Sequence, residues 1–307
     1  MQLIVGIAAF GGGVWLLVES VEGLIGSLRA WALASGVSGI VVGALVLGFD
    51  VESTAAGVAA TLDDLPGTAL GATVGAAIFL VTVGLGVAAL IAPFRVRPPA
   101  AMLGAGAVAT VLCIALAADG RLTRLDGGLL LAAFVPLVAA IVIWRPRAAE
   151  PEADSGEPGE RPRFLVLRVL AGLAGLVVGA ELLVFGTRRV VDELGLSETV
   201  FGLLVIGAAV SFEEVVLEAL PAFRGFPELS VGNALGTLVF LLSGSLGVIA
   251  LVRPLDVPAS VADYHLPALG LTVLLALGLL ARGRLGRLEG VVLVLAYAAY
   301  AVGAVLR

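Results

Sequence analysis

Eight acidic side chains stand inside the apolar stretches of this chain: Glu19, Glu22, Asp50, Glu52, Glu181, Glu213, Glu214 and Glu218. Lysine is absent, and no arginine is expected at matching depth. Ion pairing therefore does not neutralise the acids, which must be protonated, hydrated or bound to a cation. Hard cations take several oxygens, carboxylates mixed with hydroxyl, amide and carbonyl groups. Ser211, Glu213 and Glu214 fall in one stretch, Asn233 and Thr237 in the next, and Asp50, Glu52, Ser53 and Thr54 in an earlier one. The chemistry such a set carries is reversible binding of a cation or a proton. Each group also has a structural reading. Glu19 and Glu218 can reach interfacial water, Glu22 and Glu181 can cap a neighbouring broken helix, and Asn233 can bridge two helices through its amide. The single histidine, His265, reads as a surface or interface residue at a helix start. The single cysteine, Cys113, excludes an internal disulfide and a thiolate metal site.

The elements that must hold these groups are membrane helices. Sixty per cent of the 307 residues are hydrophobic and 14% charged, with a mean hydropathy of +1.12. Soluble domains average about 25% charged. The net charge of −6 and the lack of a basic stripe exclude nucleic-acid binding. No nucleophile–base pair or histidine-rich metal set favours an enzyme. A spanning helix needs about 20 apolar residues, which gives ten spans: 2–27, 34–60, 67–92, 99–117, 126–144, 164–187, 197–221, 228–252, 264–281 and 288–306. The expected fold is an all-α polytopic membrane protein whose partners are the lipid bilayer and small inorganic cations. Residues 145–163, rich in Pro and Glu, read as a solvated linker. No basic run precedes the first span, so no cleaved signal peptide is expected. The seventh and eighth spans, hinged between Pro221 and Pro227, are the expected centre. Acids on one would face the Gly232–Asn233–Gly236 surface of the other.

The two halves repeat. Residues 12–39 align on 171–198 at an offset of 159, pairing Glu22 with Glu181 and Arg29 with Arg188. An offset of 161 then pairs Pro66 with Pro227, Gly71 with Gly232, Gly75 with Gly236, Phe79 with Phe240 and Gly86 with Gly247. Arg124–Gly127 (RLDG) matches Arg287–Gly290 (RLEG). Five spans per repeat, an odd number, make the second half (164–307) enter from the opposite side to the first (1–144). That is the inverted-topology plan of secondary transporters, with the site where the repeats meet. Eleven arginines fall in one set of loops (Arg29, Arg95, Arg97, Arg145, Arg147, Arg161, Arg163, Arg224, Arg282, Arg284, Arg287) and six on the other side. The linker is therefore expected in the cytoplasm and both termini outside.

Four stretches carry a family likeness: GAELLV (179–184), LGLSETVFGLLV (194–205), the acid-bearing helix after it, and VGNALGT (231–237). Together they resemble the cation/calcium exchanger superfamily, which includes sodium/calcium and proton/calcium antiporters. The resemblance places Glu214 on the family's ion-binding Glu and Ser211 on the Ser of its GTSxPE motif, whose Gly, Thr and Pro are replaced here. Gly48-Phe49-Asp50-Val51-Glu52 is similar to the GNAxE pattern of the proton/calcium branch. The register there stays open: one offset pairs Glu52 with Ser211, the other with Glu213. At the family's neutral-oxygen positions this chain has Ala76, Leu80, Thr237 and Leu241, and Ala72 stands opposite Asn233. The resemblance implies a secondary antiporter of the cytoplasmic membrane, moving a divalent cation such as Ca²⁺ against Na⁺ or H⁺ by alternating access. Glu52 and Glu214 would be the metal ligands and no cofactor would be covalently bound. The first and sixth spans would slide against the rest. The rival reading is an exchanger-fold protein that has lost transport and serves as a partner or scaffold.

Carboxylates crowded in an apolar midplane lose hydration and repel one another, so protons compete with a cation for them. Cation affinity is expected to fall steeply as pH drops from about 8 to 6, because binding must displace protons. Glu52→Gln should weaken binding and flatten that dependence. Titration calorimetry across the range reads both, and a pH-independent affinity would rule protons out as the exchanged ion.

Overall fold

The computed structural model describes residues 2–143, 162–194 and 207–306. Residues 144–161, which take in most of the expected linker (145–163), and 195–206, which take in the start of the seventh span (197–221), lie outside the described residues; Pro162 and Arg163, expected in the linker, open a helix. Among the described residues nine helices are long and apolar enough to cross a membrane. They coincide with the first six and last three spans expected from the sequence.

Helix α1 runs Gln2–Ser35, well beyond the expected end at 27. Nothing in its sequence breaks it before Gly36, whose φ of 63° ends the helix in the left-handed conformation that glycine adopts without strain. Arg29 is therefore a helix residue and not a loop cation. Its guanidinium lies 4.8 Å from the Phe226 ring centre. The next span is broken. Helix α2 covers Gly39–Val42 and a wide π turn, Gly43–Leu47; the chain bends at Gly48–Asp50; and α3 covers Val51–Leu62. The bend has a local cause: Asp50 Oδ1 accepts from Ser53 N at 2.8 Å, so its side chain caps α3.

Helix α4 (Pro66–Ile91) and helix α9 (Pro227–Val252) are the most enclosed spans. Each is widened by a π turn late in its course, Leu80–Gly84 in α4 and Phe240–Ser245 in α9. Between and around them run α5 (Ala100–Ala117), α6 (Arg124–Ile143), α7 (Pro162–Leu194), α8 (Gly207–Phe223), α10 (Val261–Ala281) and α11 (Arg287–Val305).

Packing relies on small residues. In lipid an apolar side chain gains little by moving from tail to protein, so helices associate through close backbone contact. Helix α2 lies directly on α9. A Cβ on Gly43 would stand 2.7 Å from the Leu229 carbonyl oxygen, and one on Gly236 would stand 2.6 Å from Ala44 Cα. Gly232 and Gly236 thus face α2 and not the acid-bearing α8, which corrects the pairing expected from sequence. Helices α1 and α7 pack along their length in the same manner: a Cβ on Gly13 would meet Leu183 N at 2.6 Å, and one on Gly179 would meet Leu17 Cγ at 2.9 Å.

Several contacts occur twice, at positions the sequence offsets relate. Gly127 of α6 stands against Gly247 of α9, and Gly86 of α4 against Gly290 of α11. Strand β1 (Arg121–Leu122) pairs antiparallel with β2 (Leu255–Asp256), and Phe94 pairs antiparallel with Leu285. Phe134 packs on Phe240 with ring centres 5.9 Å apart, and Tyr297 packs on Phe79 at 5.3 Å.

The α2–α9 crossing makes a direct prediction. Gly236→Ala should cost about 1–3 kcal/mol, because backbone has to move. Gly278→Ala, with nothing within 4 Å of the added carbon, should be neutral or stabilise by up to about 1 kcal/mol through helix propensity. Thermal unfolding in detergent compares the two, and equal midpoints would show that the crossing is looser than described.

Candidate functional site

The bend in the second span is where the acids gather. Asp50 opens α3, Glu52 and Ser53 follow in its first turn, and the last turn of α2 brings Val46 and Leu47 to the same place. Across from them α8 carries Glu213 and Glu214, and α9 carries Asn233 and Thr237. These residues border one cavity of about 600 Å³. Helix α7 contributes Leu173, Leu176 and Val177 to the wall, α4 contributes Gly71, Gly75, Ala76 and Phe79, and α11 contributes Tyr297 and Tyr300. No basic side chain is found among the described lining residues.

The electrostatics are those of one shared site. Glu213 and Glu214 both feel the charges of Asp50 and Glu52, although they sit on different helices. Asp50 divides its carboxylate: Oδ1 caps α3, whereas Oδ2 is buried with no hydrogen-bond partner among the described residues. Three or more carboxylate, imidazole or thiol groups do not converge on one point among the described residues. The acids border a space and do not clasp a point, so a cation there would complete its shell with neutral oxygens or water.

Other expected members have different roles. Glu218, one turn beyond Glu214, is fully buried. Its Oε1 accepts from Asn233 Nδ2 at 3.0 Å, and Asn233 Oδ1 accepts from the Thr237 hydroxyl at 3.3 Å. Asn233 therefore bridges α8 and α9 while also lining the cavity, and the bond to Glu218 turns its carbonyl oxygen toward Thr237. Glu218 also packs on α4, where a Cβ at Gly84 would stand 3.0 Å from Glu218 Cγ. Glu22 is drawn away: Arg224, in the turn after α8, forms an ion pair with it. The sequence offered no partner because Arg224 lies two hundred positions on. Glu181, on an exposed face of α7, lies outside the cavity wall but within electrostatic reach of Glu52. Thr54 is spent on packing: its hydroxyl donates to the Asp50 carbonyl oxygen (3.0 Å) and meets the Ser245 hydroxyl at 2.9 Å. Ser211 falls on α8, and its side chain lies outside the described residues. Leu80 and Leu241 are fully buried, and neither is among the described lining residues.

Sequence reasoning missed the aromatic wall. Tyr297 and Tyr300 are three apart on one helix face, and that spacing alone was the available signal. His265, expected at a surface or interface, is half-buried and its Nδ1 lies 2.7 Å from the Tyr300 hydroxyl.

Comparison with known proteins gives a consistent picture. A family model described as sodium/calcium exchanger protein matches residues 5–143 and 164–306. A protein of Alkalimonas amylolytica that bears the name antiporter CaxA is 28% identical over 312 residues, covering 94% of this chain and 95% of its own. The inner membrane protein YrbG of Escherichia coli (strain K12) is 28% identical over 270 residues, with 82% of each chain covered. A solved structure of the sodium-calcium exchanger NCX_Mj, soaked with Na⁺ and Sr²⁺, superposes with a TM-score of 0.85 at 23% identity, over 98% of both chains.

The Glu218–Asn233 bond sets up a test of how the cavity floor is held. Asn233→Leu leaves a buried carboxyl without that donor and should cost about 1–3 kcal/mol. Adding Glu218→Leu should recover part of the loss, since replacing both polar partners by apolar groups removes the penalty. Thermal midpoints of the single and double variants measure this; a stable Asn233→Leu protein would show that the bond holds nothing.

Proposed function

The chain belongs to the sodium/calcium exchanger protein family, and from that premise we propose that it is a secondary antiporter exchanging a divalent cation, Ca²⁺ foremost, against Na⁺ or H⁺. The observation that carries this reading is the cavity between α3, α8 and α9. Asp50, Glu52, Glu213 and Glu214 border it from two helices, with no basic side chain among the described lining residues. Glu52 and Glu214 are the principal ligands, with Asp50 and Glu213 beside them and Ser211, Asn233 and Thr237 supplying neutral oxygens. Carboxylates that need either a cation or protons let the cavity change the side to which it opens only when loaded, and that coupling converts binding into exchange.

The architecture proposed for this activity is ten spans in two inverted repeats, 1–144 and 164–307, joined by a cytoplasmic linker, with both termini outside. The doubled contacts support it: Gly127 on Gly247 with Gly86 on Gly290, and the two antiparallel pairings at Leu122–Leu255 and Phe94–Leu285. An inverted repeat brings equivalent helices to one midplane site. The glycine-lined contact of α1 with α7 supports a sliding unit that exposes the cavity first to one side and then to the other.

The test is ion flux in liposomes. Purified protein should take up Ca²⁺ when an opposing Na⁺ or pH gradient is imposed. Glu214→Gln keeps size and hydrogen bonding but removes the ionisable oxygen, and should drop uptake to that of empty vesicles with an unchanged thermal midpoint. Full uptake by that variant would remove Glu214 from the site.

A further inference from the structure

The cavity has an aromatic side that the acids do not explain. The offset relating Arg124–Gly127 to Arg287–Gly290 pairs Phe134 with Tyr297 and Leu137 with Tyr300. The first pair keeps its contact: Phe134 rests on Phe240 and Tyr297 on the equivalent Phe79, both edge to face. Ring packing is thus common to α6 and α11, whereas the hydroxyls are confined to α11. Both tyrosines line the cavity, as does Ala76 of α4.

Tyr300 is also the most firmly placed of these groups. Its ring stacks on Tyr264 at 5.7 Å, with planes 7° apart, and Tyr264 donates its hydroxyl to the Tyr300 carbonyl oxygen at 2.6 Å. Its own hydroxyl lies 2.7 Å from His265 Nδ1. In the tautomer in which Nδ1 accepts, Tyr300 gives its proton to His265. The lone pairs of the phenol oxygen are left for a positive partner.

We infer that Tyr300, positioned by His265, is a specificity-determining oxygen of the cavity that faces the bound divalent cation. Resting on the exchange reading, this assigns to α11 a share of the neutral oxygen that Ala76 does not supply. Magnesium surrenders its water reluctantly and demands a tight octahedron, whereas calcium accepts a larger, looser set of oxygens. A fixed neutral oxygen in a roomy cavity therefore favours the larger ion. His265 acts only through Tyr300 and is a positioning residue.

The experiment measures Ca²⁺ half-saturation and maximal rate separately in proteoliposomes, with Mg²⁺ as competitor. Tyr300→Phe should raise the Ca²⁺ half-saturation roughly fivefold, the worth of one neutral hydrogen-bonding group. Maximal rate and thermal midpoint should stay unchanged while competition by Mg²⁺ strengthens. His265→Leu should shift half-saturation the same way. His265→Asn, whose Oδ1 stands near the place of Nδ1, should restore it. The double variant should be no worse than Tyr300→Phe alone, as for residues that act as one unit. Gly278→Ala, where the added carbon meets nothing within 4 Å, should leave half-saturation unchanged. Should Tyr300→Phe lose thermal stability, His265→Leu and its rescue by His265→Asn decide the matter. Wild-type flux with unaltered half-saturation and Mg²⁺ competition in these variants overturns the inference alone. A wild-type protein that moves no divalent cation overturns the exchange reading beneath it.

Discussion

The backbone of α2 touches the backbone of α9, and the position of the candidate site follows from that contact. Gly43 in α2 and Gly48 just after it, with Gly232 and Gly236 on α9, remove the side chains that would hold the helices apart. The crossing occurs immediately before the bend at Gly48–Asp50, so the start of α3 emerges beside Asn233 and Thr237. Helix α8, packed against both α4 and α9, then brings Glu213 and Glu214 to the opposite wall. A side chain at the crossing would push the bend, and with it Asp50 and Glu52, away from α8.

Charge gives this arrangement its purpose. A carboxylate inside an apolar bundle is expensive, and the molecule handles its acids in two ways. Two at the periphery are answered locally: Glu22 by Arg224, and Asp64, just after α3, by Arg253. Those around the cavity face one another and have no basic group among the described lining residues. Asp50 is intermediate, with one oxygen spent on capping α3 and the other left over. Such a set must be protonated, hydrated or joined by a cation. Glu218 lies just behind it, tied to Asn233, and joins the floor of the cavity to α4.

Much of this was legible in the sequence. Nine of the ten expected spans are present among the described residues, because runs of about 20 apolar residues allow little else. The acids Asp50, Glu52, Glu213 and Glu214 stand out by their cost in lipid, and they do border one cavity. What was not legible depends on contacts remote in sequence. Gly232 and Gly236 announced a close helix approach but not its partner, since a small-residue face fits any neighbour. Arg29 reads as a loop residue in the sequence because α1 leaves the apolar region before it ends at Gly36. Asp50 offered a capping signal, an acid three residues before Ser53, but its position among ligand candidates drew the reading toward coordination. Tyr297, Tyr300 and His265 resemble an interfacial aromatic belt; only the fold brings the two tyrosines into the cavity wall, with His265 against Tyr300.

Carboxylates from both α3 and α8 are proposed to share one divalent cation. The most direct measurement is an anomalous-scattering map of crystals soaked in Sr²⁺ or Ca²⁺. One strong peak is expected in the cavity, about 2.3–2.6 Å from oxygens of both Glu52 and Glu214 for Ca²⁺, with loss of that peak in Glu214→Gln. A saturating soak that leaves the cavity without a peak, or a peak held by residues of one helix alone, would contradict it.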